Sequence, residues 1–575
     1  MVAITDPVKN RLTIETNKIA SDTMAIRSLD WDRDRFDIEF GLQNGTTYNS
    51  FIIQGEKTAL VDTSHGKFRQ LYLDTLLGLI KPTEIDYLII SHTEPDHSGL
   101  AKDIIELAPQ ITVVGAKIAI QFLENLTHIP FKKQIVKNGD QLDLGNGHVL
   151  EFVSAPNLHW PDTIFSYDRK TQTLFTCDAF GMHYCSDKTY DETLSDIEAD
   201  YKFYYECLMA PNARSVLNAM KRMKALGDIN TIATGHGPLL RHNLVELTNR
   251  YQEWSQAKSK AEKTVAVFYI SDYGYSDRLS QAIAHGIIKT GVAVEMMDLK
   301  SADPQEVREL VEMAKGIVIG APPSTGPIAT TAEIGISTIL AAANKKQTFG
   351  LFESGGGDDL SIYPLAIQFK GLGLKQAFPN ITIKETPSEL TYKLCEEAGT
   401  DAGQLLSIKE NIKQMKSLDS GLDKALGRLS GGLYIITASK GEVSSAMLAS
   451  WVVQASFKPL GVSIAVAKDR AIEALMQVGD RFVLNVLRED NYQYLMRHFL
   501  KRFKPGADRF AGVNTQTANN GSPILSDALA YLECEVATRM EASDHWIIYA
   551  TVDNGRVSDS DVLPAVHHRK VGNHY

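Results

Sequence analysis

The stretch His92-Thr-Glu-Pro-Asp-His97 constrains this chain more than any other. It follows the apolar run Tyr87-Leu-Ile-Ile-Ser91 and so reads as the loop leaving a buried strand. Four metal-competent side chains fall within six positions, and Pro95 stiffens the turn that carries them. A merely solvated acidic turn has no need of this spacing. The end of a buried strand is where a rigid scaffold aims several ligands at one point. The stretch reads as half of a two-metal site.

At 575 residues and 63.5 kDa the chain is too long for one core, which predicts three or four domains. Net charge is -11, from 59 basic and 70 acidic residues, and argues against a protein that works by neutralising nucleic-acid phosphates. No apolar run approaches the roughly 20 residues needed to span a bilayer. The start, Met1-Val-Ala-Ile-Thr-Asp-Pro7, lacks a basic region followed by an apolar stretch, so no secretion signal is expected. The five cysteines (Cys177, Cys185, Cys207, Cys395 and Cys534) are scattered and form no CxxC. A reducing cytosol is the expected location, without a disulfide framework or zinc knuckle.

Before residue 258, β-rich runs such as Thr47-Tyr-Asn-Ser-Phe-Ile-Ile53 and Thr58-Ala-Leu-Val-Asp62 alternate with helical stretches. Such alternation, with chemistry on the connecting loops, predicts a layered α/β sandwich. Three more metal-type residues sit on loops. His159 lies between Pro156 and Pro161, Asp178 just past an apolar strand, and His236 between Gly235 and Gly237. Taken singly, each is more ordinary as a hydrogen-bonded loop residue; with the first loop they form a coherent set. His65 reads as a hydrogen-bonded loop residue, and His183 as a donor beside the site.

This arrangement resembles the metallo-β-lactamase fold in its flavodiiron version. Hydrolases of that fold read H-x-H-x-D-H, whereas here Glu94 takes the place of the second His. A harder, more anionic ligand set favours iron over zinc. The resemblance implies that His92, Glu94 and His159 hold one iron, that Asp96, His97 and His236 hold the other, and that Asp178 bridges them.

Residues 259–412 open on Thr264-Val-Ala-Val-Phe-Tyr-Ile270, a continuous run fit for a buried parallel strand. Repeated strand–loop–helix units then predict a doubly wound parallel sheet with ligand loops at the strand ends. This segment resembles a flavodoxin domain that binds FMN. The resemblance implies cofactor contacts in three loops: Ser271, Asp272, Tyr273, Gly274, Tyr275 and Ser276 at the phosphate; Pro322, Pro323, Ser324 and Thr325 beside the ring; and Ser354, Gly355, Gly356 and Gly357 on its other side. The chain departs from the family pattern with an anion at Asp272, with Pro322-Pro323, and with a triple glycine where an aromatic platform is common.

Residues 405–424 form a mixed polar stretch that reads as a linker, with 413–424 as its span between domains. Beyond it, 425–575 is β-rich and fits a small barrel. Ser444-Ser-Ala-Met-Leu-Ala-Ser-Trp451, Asp544-His-Trp546 and His567-His-Arg-Lys570 resemble the flavin reductase family with its split β-barrel. That resemblance implies a second flavin, FMN or FAD, near Ser444, Ser445, Ser450 and Trp451, with the tail histidines on the nicotinamide side.

The three segments, in this order, resemble the three-domain, diflavin type of flavodiiron protein of oxygenic phototrophs. That family implies NAD(P)H-driven four-electron reduction of dioxygen to water, as an electron sink and photoprotection. Electrons would pass through the flavins to two irons, in a homodimer or in a heterodimer with a related chain; ferredoxin is an alternative donor. Nitric oxide reduction at the same irons and a zinc hydrolase are the competing readings, with a non-catalytic partner subunit as a third.

Overall fold

The computed structural model describes residues 11–36, 40–270, 275–300, 302–321, 327–353, 362–383, 386–417 and 421–569. They fall into two compact units, and the division runs through the middle segment: 267–277 and 293–310 go with the first unit, and 263–266, 278–292 and everything from 311 with the second.

The first unit contains two facing sheets. Seven strands, Leu12–Ala20, Thr23–Asp30, Thr46–Gln54, Thr58–Val61, Tyr87–Ile90, Thr112–Gly115 and Lys132–Ile135, neighbour one another in chain order. Five more, Gln141–Gly145, His148–Ser154, Ile164–Asp168, Thr173–Cys177 and Thr231–Thr234, do the same in the second sheet. Phe51, Val61 and Ile89 from one sheet pack with Phe152, Phe175 and Ala233 from the other in a shared core. A second core lies under helices Arg69–Leu79, Ala101–Leu107 and Lys117–Thr127. A third lies under Leu194–Tyr204, Ala213–Met223 and Leu244–Ser259. The layering is α/β/β/α, as the alternating runs predict.

In the middle segment the strand order is Ala293–Asp298, Thr264–Tyr269, Gly316–Ala321, Thr348–Glu353 and Lys375–Gln376. Gly316–Ala321 pairs in parallel with Thr348–Glu353, and the latter with Lys375–Gln376. This is the doubly wound, flavodoxin-like order. The polar stretch 405–424, read as a linker, instead continues helix Glu389–Ser417, and a short helix, Gly421–Leu426, follows. The C-terminal segment forms a seven-stranded antiparallel sheet in which Tyr434–Lys440 pairs with Val443–Ala449 on one side and Arg481–Val486 on the other. Its inward residues, among them Ile436, Val466 and Ile548, make a barrel-like core, and a second cluster gathers Ile435, Leu487, Leu495 and Phe499. Among the described residues, no helix is long and apolar enough to cross a membrane.

Candidate metal centre

The candidate ligands stand where strands end. Ser91 and His92 follow strand Tyr87–Ile90, Asp178 follows Thr173–Cys177, and His236 follows Thr231–Thr234. Backbone bonds tie these loops together: the Ile164 amide donates to the Ser91 carbonyl at 2.9 Å, and the Gly235 amide to the Cys177 carbonyl at 2.7 Å. Asn49 Nδ2 donates to the carbonyls of Thr234 and Gly237, both at 2.9 Å, and clamps the His236 loop. Asp62 and Cys177 adopt left-handed φ values of 57° and 53° at the strand ends, a strained geometry that collects around functional sites.

All seven candidate ligands converge, in two sets that share Asp178. Asp178 Oδ2 lies 3.3 Å from His92 Nε2 and 3.4 Å from His159 Nε2, while Glu94 Oε2 lies 2.9 Å from His159 Nε2 and 3.2 Å from His92 Nε2. Asp178 Oδ1 lies 3.0 Å from His97 Nε2 and 3.3 Å from His236 Nε2, while Asp96 Oδ2 lies 3.3 Å from His236 Nε2. One carboxylate therefore faces a set on either side. Six-position spacing in the sequence brought four of these residues to one loop, and the sheets supplied the other three.

The ring tautomers are set from behind. His92 Nδ1 is 3.1 Å from Asp162 Oδ1, and His236 Nδ1 is 2.6 Å from the Thr47 carbonyl. Each Nδ1–H donates outward, which leaves Nε2 as the nitrogen that faces Asp178. Asp162 Oδ2 also accepts from the Thr93 amide at 3.0 Å. Tyr204, on helix Leu194–Tyr204, donates its hydroxyl to Asp178 Oδ1 at 2.9 Å. Gly235 has a steric reason: a Cβ there would come within 2.7 Å of His97 Cε1. Sequence reasoning passed over Asp162, Thr47 and Tyr204, since their partners are distant in the chain.

His183, read as a donor beside the site, lies 2.7 Å by Nδ1 from Thr46 Oγ1, with its ring 4.6 Å from that of His236. His65 takes the loop role read for it, as Nδ1 accepts from the Lys67 amide at 3.1 Å.

Burial and Asp96 push Glu94 upward, but His159 and His92 outweigh them and its carboxyl falls to about 2. Burial likewise disfavours the His159 and His236 cations, yet the facing carboxylates raise each imidazole to about 10. Three carboxylates and four imidazoles thus attract positive charge strongly. Among the described residues Asp96 Oδ1 and Asp178 Oδ2 are buried without a hydrogen-bond partner, and Glu94 and Asp96 are the most exposed of the seven, at 14% and 20%. Mixed N/O donors, two separate sets and a shared carboxylate fit a pair of iron ions. A closed tetrahedral zinc site uses four ligands and no bridge.

Comparisons with known proteins agree. Residues 46–237 match the ODP family beta lactamase profile, and residues 426–573 the flavin reductase like domain. The chain is 70% identical to a Nostoc sp. relative of the diflavin flavoprotein A group over 100% of both chains. It is 68% identical to diflavin flavoprotein A 1 of Synechocystis sp. over 99% of both. The chain belongs to the diflavin flavoprotein A family. A metal-soaked Flv1 flavodiiron core from Synechocystis sp. superposes with a TM-score of 0.63 at 36% identity, covering 69% of this chain and 99% of that one. Diflavin flavoproteins are flavodiiron oxidoreductases. Their cofactors are a diiron site and flavins, and their flavin reductase domain takes NAD(P)H.

The flavin candidates are placed less completely. Ser271, Asp272, Tyr273, Gly274, Pro322, Pro323, Ser324, Thr325, Ser354, Gly355, Gly356 and Gly357 lie outside the described residues. Tyr275 is exposed, and the buried Ser276 opens helix Ser276–Ile288. Ser444 and Ser445 point to opposite faces of strand Val443–Ala449, one exposed and one buried on the side of Val443, Met447 and Ala449, so they do not form one contact surface. Ser450 is buried and Trp451 exposed, just past the end of that strand. A Cβ at Gly431 would overlap the Ser450 carbonyl oxygen, and Gly431 pairs in register with His567. The Trp451 ring lies 5.1 Å from that of His545 and 5.1 Å from the Arg569 guanidinium. The tail thus returns to the Ser450–Trp451 corner of its own segment.

Proposed function

We propose that the chain is an NAD(P)H:oxygen oxidoreductase that reduces dioxygen by four electrons to water. Asp178 carries this reading, because its two oxygens face two separate ligand sets. His92, Glu94 and His159 would hold one iron and Asp96, His97 and His236 the other, with Asp178 shared between the two sets. When bound, the flavins convert hydride to single electrons, and the iron pair binds and reduces dioxygen. Asp162 and the Thr47 carbonyl orient two of the imidazoles with Nε2 toward the shared carboxylate. The matching domain assignment is 1–258 for the diiron domain, 259–412 for the FMN domain and 425–575 for the reductase, with a connection through 413–424 that is helical as far as Ser417. FMN loops and iron ligands belong to separate segments, which supports a homodimer, or a heterodimer with a related chain; the scattered cysteines, all free, support a reducing cytoplasm as its location.

Protein purified without added cofactors tests this. About two irons per chain, with nicotinamide-driven oxygen uptake and little hydrogen peroxide, is the expected result. Zinc in place of iron, or no uptake when reduced flavin is supplied, overturns it. Faster turnover of nitric oxide than of dioxygen would reassign the substrate.

A further inference from the structure

Helix Glu389–Ser417 is engaged on two sides. On one it meets helix Ser276–Ile288 and the turn after it, backbone against backbone. A Cβ at Gly286 would overlap the Glu396 carbonyl oxygen, one at Gly399 the Ile283 carbonyl oxygen, and one at Gly403 the Thr290 hydroxyl. Three glycines at one crossing leave no space between the helices, so neither slides past the other without collision.

On its other side the helix meets the C-terminal segment through directed polar contacts. Glu397 pairs with Arg509 at 2.9 Å and accepts from the Gly506 amide at 2.9 Å. Asp401 pairs with Arg502 at 2.6 Å, and Gln404 donates to Asp469 at 2.9 Å.

Between the two sides runs a buried row of alternating charge. Lys393 contacts Glu396 at 2.9 Å, Glu396 contacts Lys289 at 2.5 Å, and Lys289 contacts Glu473 at 2.8 Å. Glu473 in turn pairs with Arg539, whose guanidinium lies 4.1 Å from the Trp546 ring centroid. All five charged side chains are at most 10% exposed. Lys289 comes from the flavodoxin-like segment, Lys393 and Glu396 from the long helix, and Glu473 and Arg539 from the reductase segment. Lys289 is the pin: one carboxylate from each of the other two pieces holds it. Pulling the pieces apart strands a buried charge, whereas a buried ionic network specifies register more than it adds stability.

We propose that this joint holds the reductase segment and the part of the flavodoxin-like segment in its compact unit, 278–292 and 311–412, as a single body, so that electrons pass between the two flavins within the chain. The proposal rests on the flavin assignments above. The transfer needs no further reactant: two electrons and two protons leave one flavin and arrive at the other.

The test uses the full-length holoprotein and the variants Lys289→Met, Lys289→Arg and Glu473→Gln. Amide exchange in residues 393–404 and 471–475 is followed alongside stopped-flow bleaching of the two flavins by NAD(P)H. Lys289→Met is expected to speed exchange there at least about tenfold and to slow the second bleaching phase about tenfold. The first phase should be unchanged, and Lys289→Arg should restore both signals. Glu473→Gln, which keeps shape and hydrogen bonding, should give a smaller effect of the same sign and stands in if Lys289→Met fails to fold. The wild-type second phase should not depend on protein concentration. A second phase that scales with concentration overturns the proposal, as does unchanged exchange in both Lys289→Met and Glu473→Gln. Bleaching of neither flavin by NAD(P)H would instead overturn the functional reading, and amide exchange would still decide the joint.

Discussion

Asp178 is the residue on which both candidate iron sites depend, since each of its oxygens faces a different ligand set. Asp178→Asn keeps the shape but removes the charge; iron is expected to fall from about two per chain to well below one, as read by elemental analysis. Asp162 acts one step removed, through the His92 tautomer. Asp162→Ala should weaken iron binding roughly 10- to 100-fold, a range typical of lost outer partners. Competition against a chelator measures it, and full retention of affinity would show that the ring is held by other means. Gly235→Ala pushes hardest on the His97 ring and less on the Cys177 backbone; it should deplete the iron on the His97 side more than the other, visible as an unequally loaded Mössbauer spectrum. The seven candidate ligands were legible in the sequence because residue type and loop position announce them. Asp162 was not: it stands in the same loop as His159, but its partner is 70 residues away, and only the meeting of the two sheets joins them.

At the scale of elements, many strand runs were readable from apolar periodicity, and loop chemistry followed from where those strands stop. Helix Glu389–Ser417 was obscured by its own composition. Gly399 and Gly403 weaken helix propensity, and the mixed polar stretch 405–424 reads as a linker. The glycines are explained by the crossing with helix Ser276–Ile288, a tertiary fact absent from any local window. A second element-level feature is the buried Glu295 on strand Ala293–Asp298, whose Oε1 accepts from the Arg214 amide at 3.1 Å. Burial pushes its carboxyl up to about 8, against a smaller opposing pull from Arg214. A carboxyl raised on folding binds more protons in the native state, so its contribution is fully present below about pH 4.5 and is lost as pH rises through about 8. Denaturant unfolding from pH 5 to 8 should show this decline, on the order of a few kcal/mol in all. Glu295→Gln should flatten it; an unchanged slope would assign the dependence to other groups.

At the scale of the whole molecule, all candidate iron ligands lie in one compact unit and the ionic joint lies in the other. Calorimetry should resolve two transitions, and chelation should lower only the one that belongs to the metal-bearing unit. With free iron at about a thousand times its dissociation constant, the bound state gains about 4 kcal/mol, worth on the order of 10 °C in that transition. A shift of both transitions together would mean that the units unfold as one. The chain order of the ligands has a further consequence during synthesis. His92, Glu94, His159 and Asp178 have all left the ribosome while the strand leading to His236 is still unmade. At cellular elongation rates that strand follows roughly 3–12 s later. The nascent protein therefore passes through an interval in which one pocket can close on a metal and its neighbour cannot. A single ion could be captured in that interval, before the pair exists to select it.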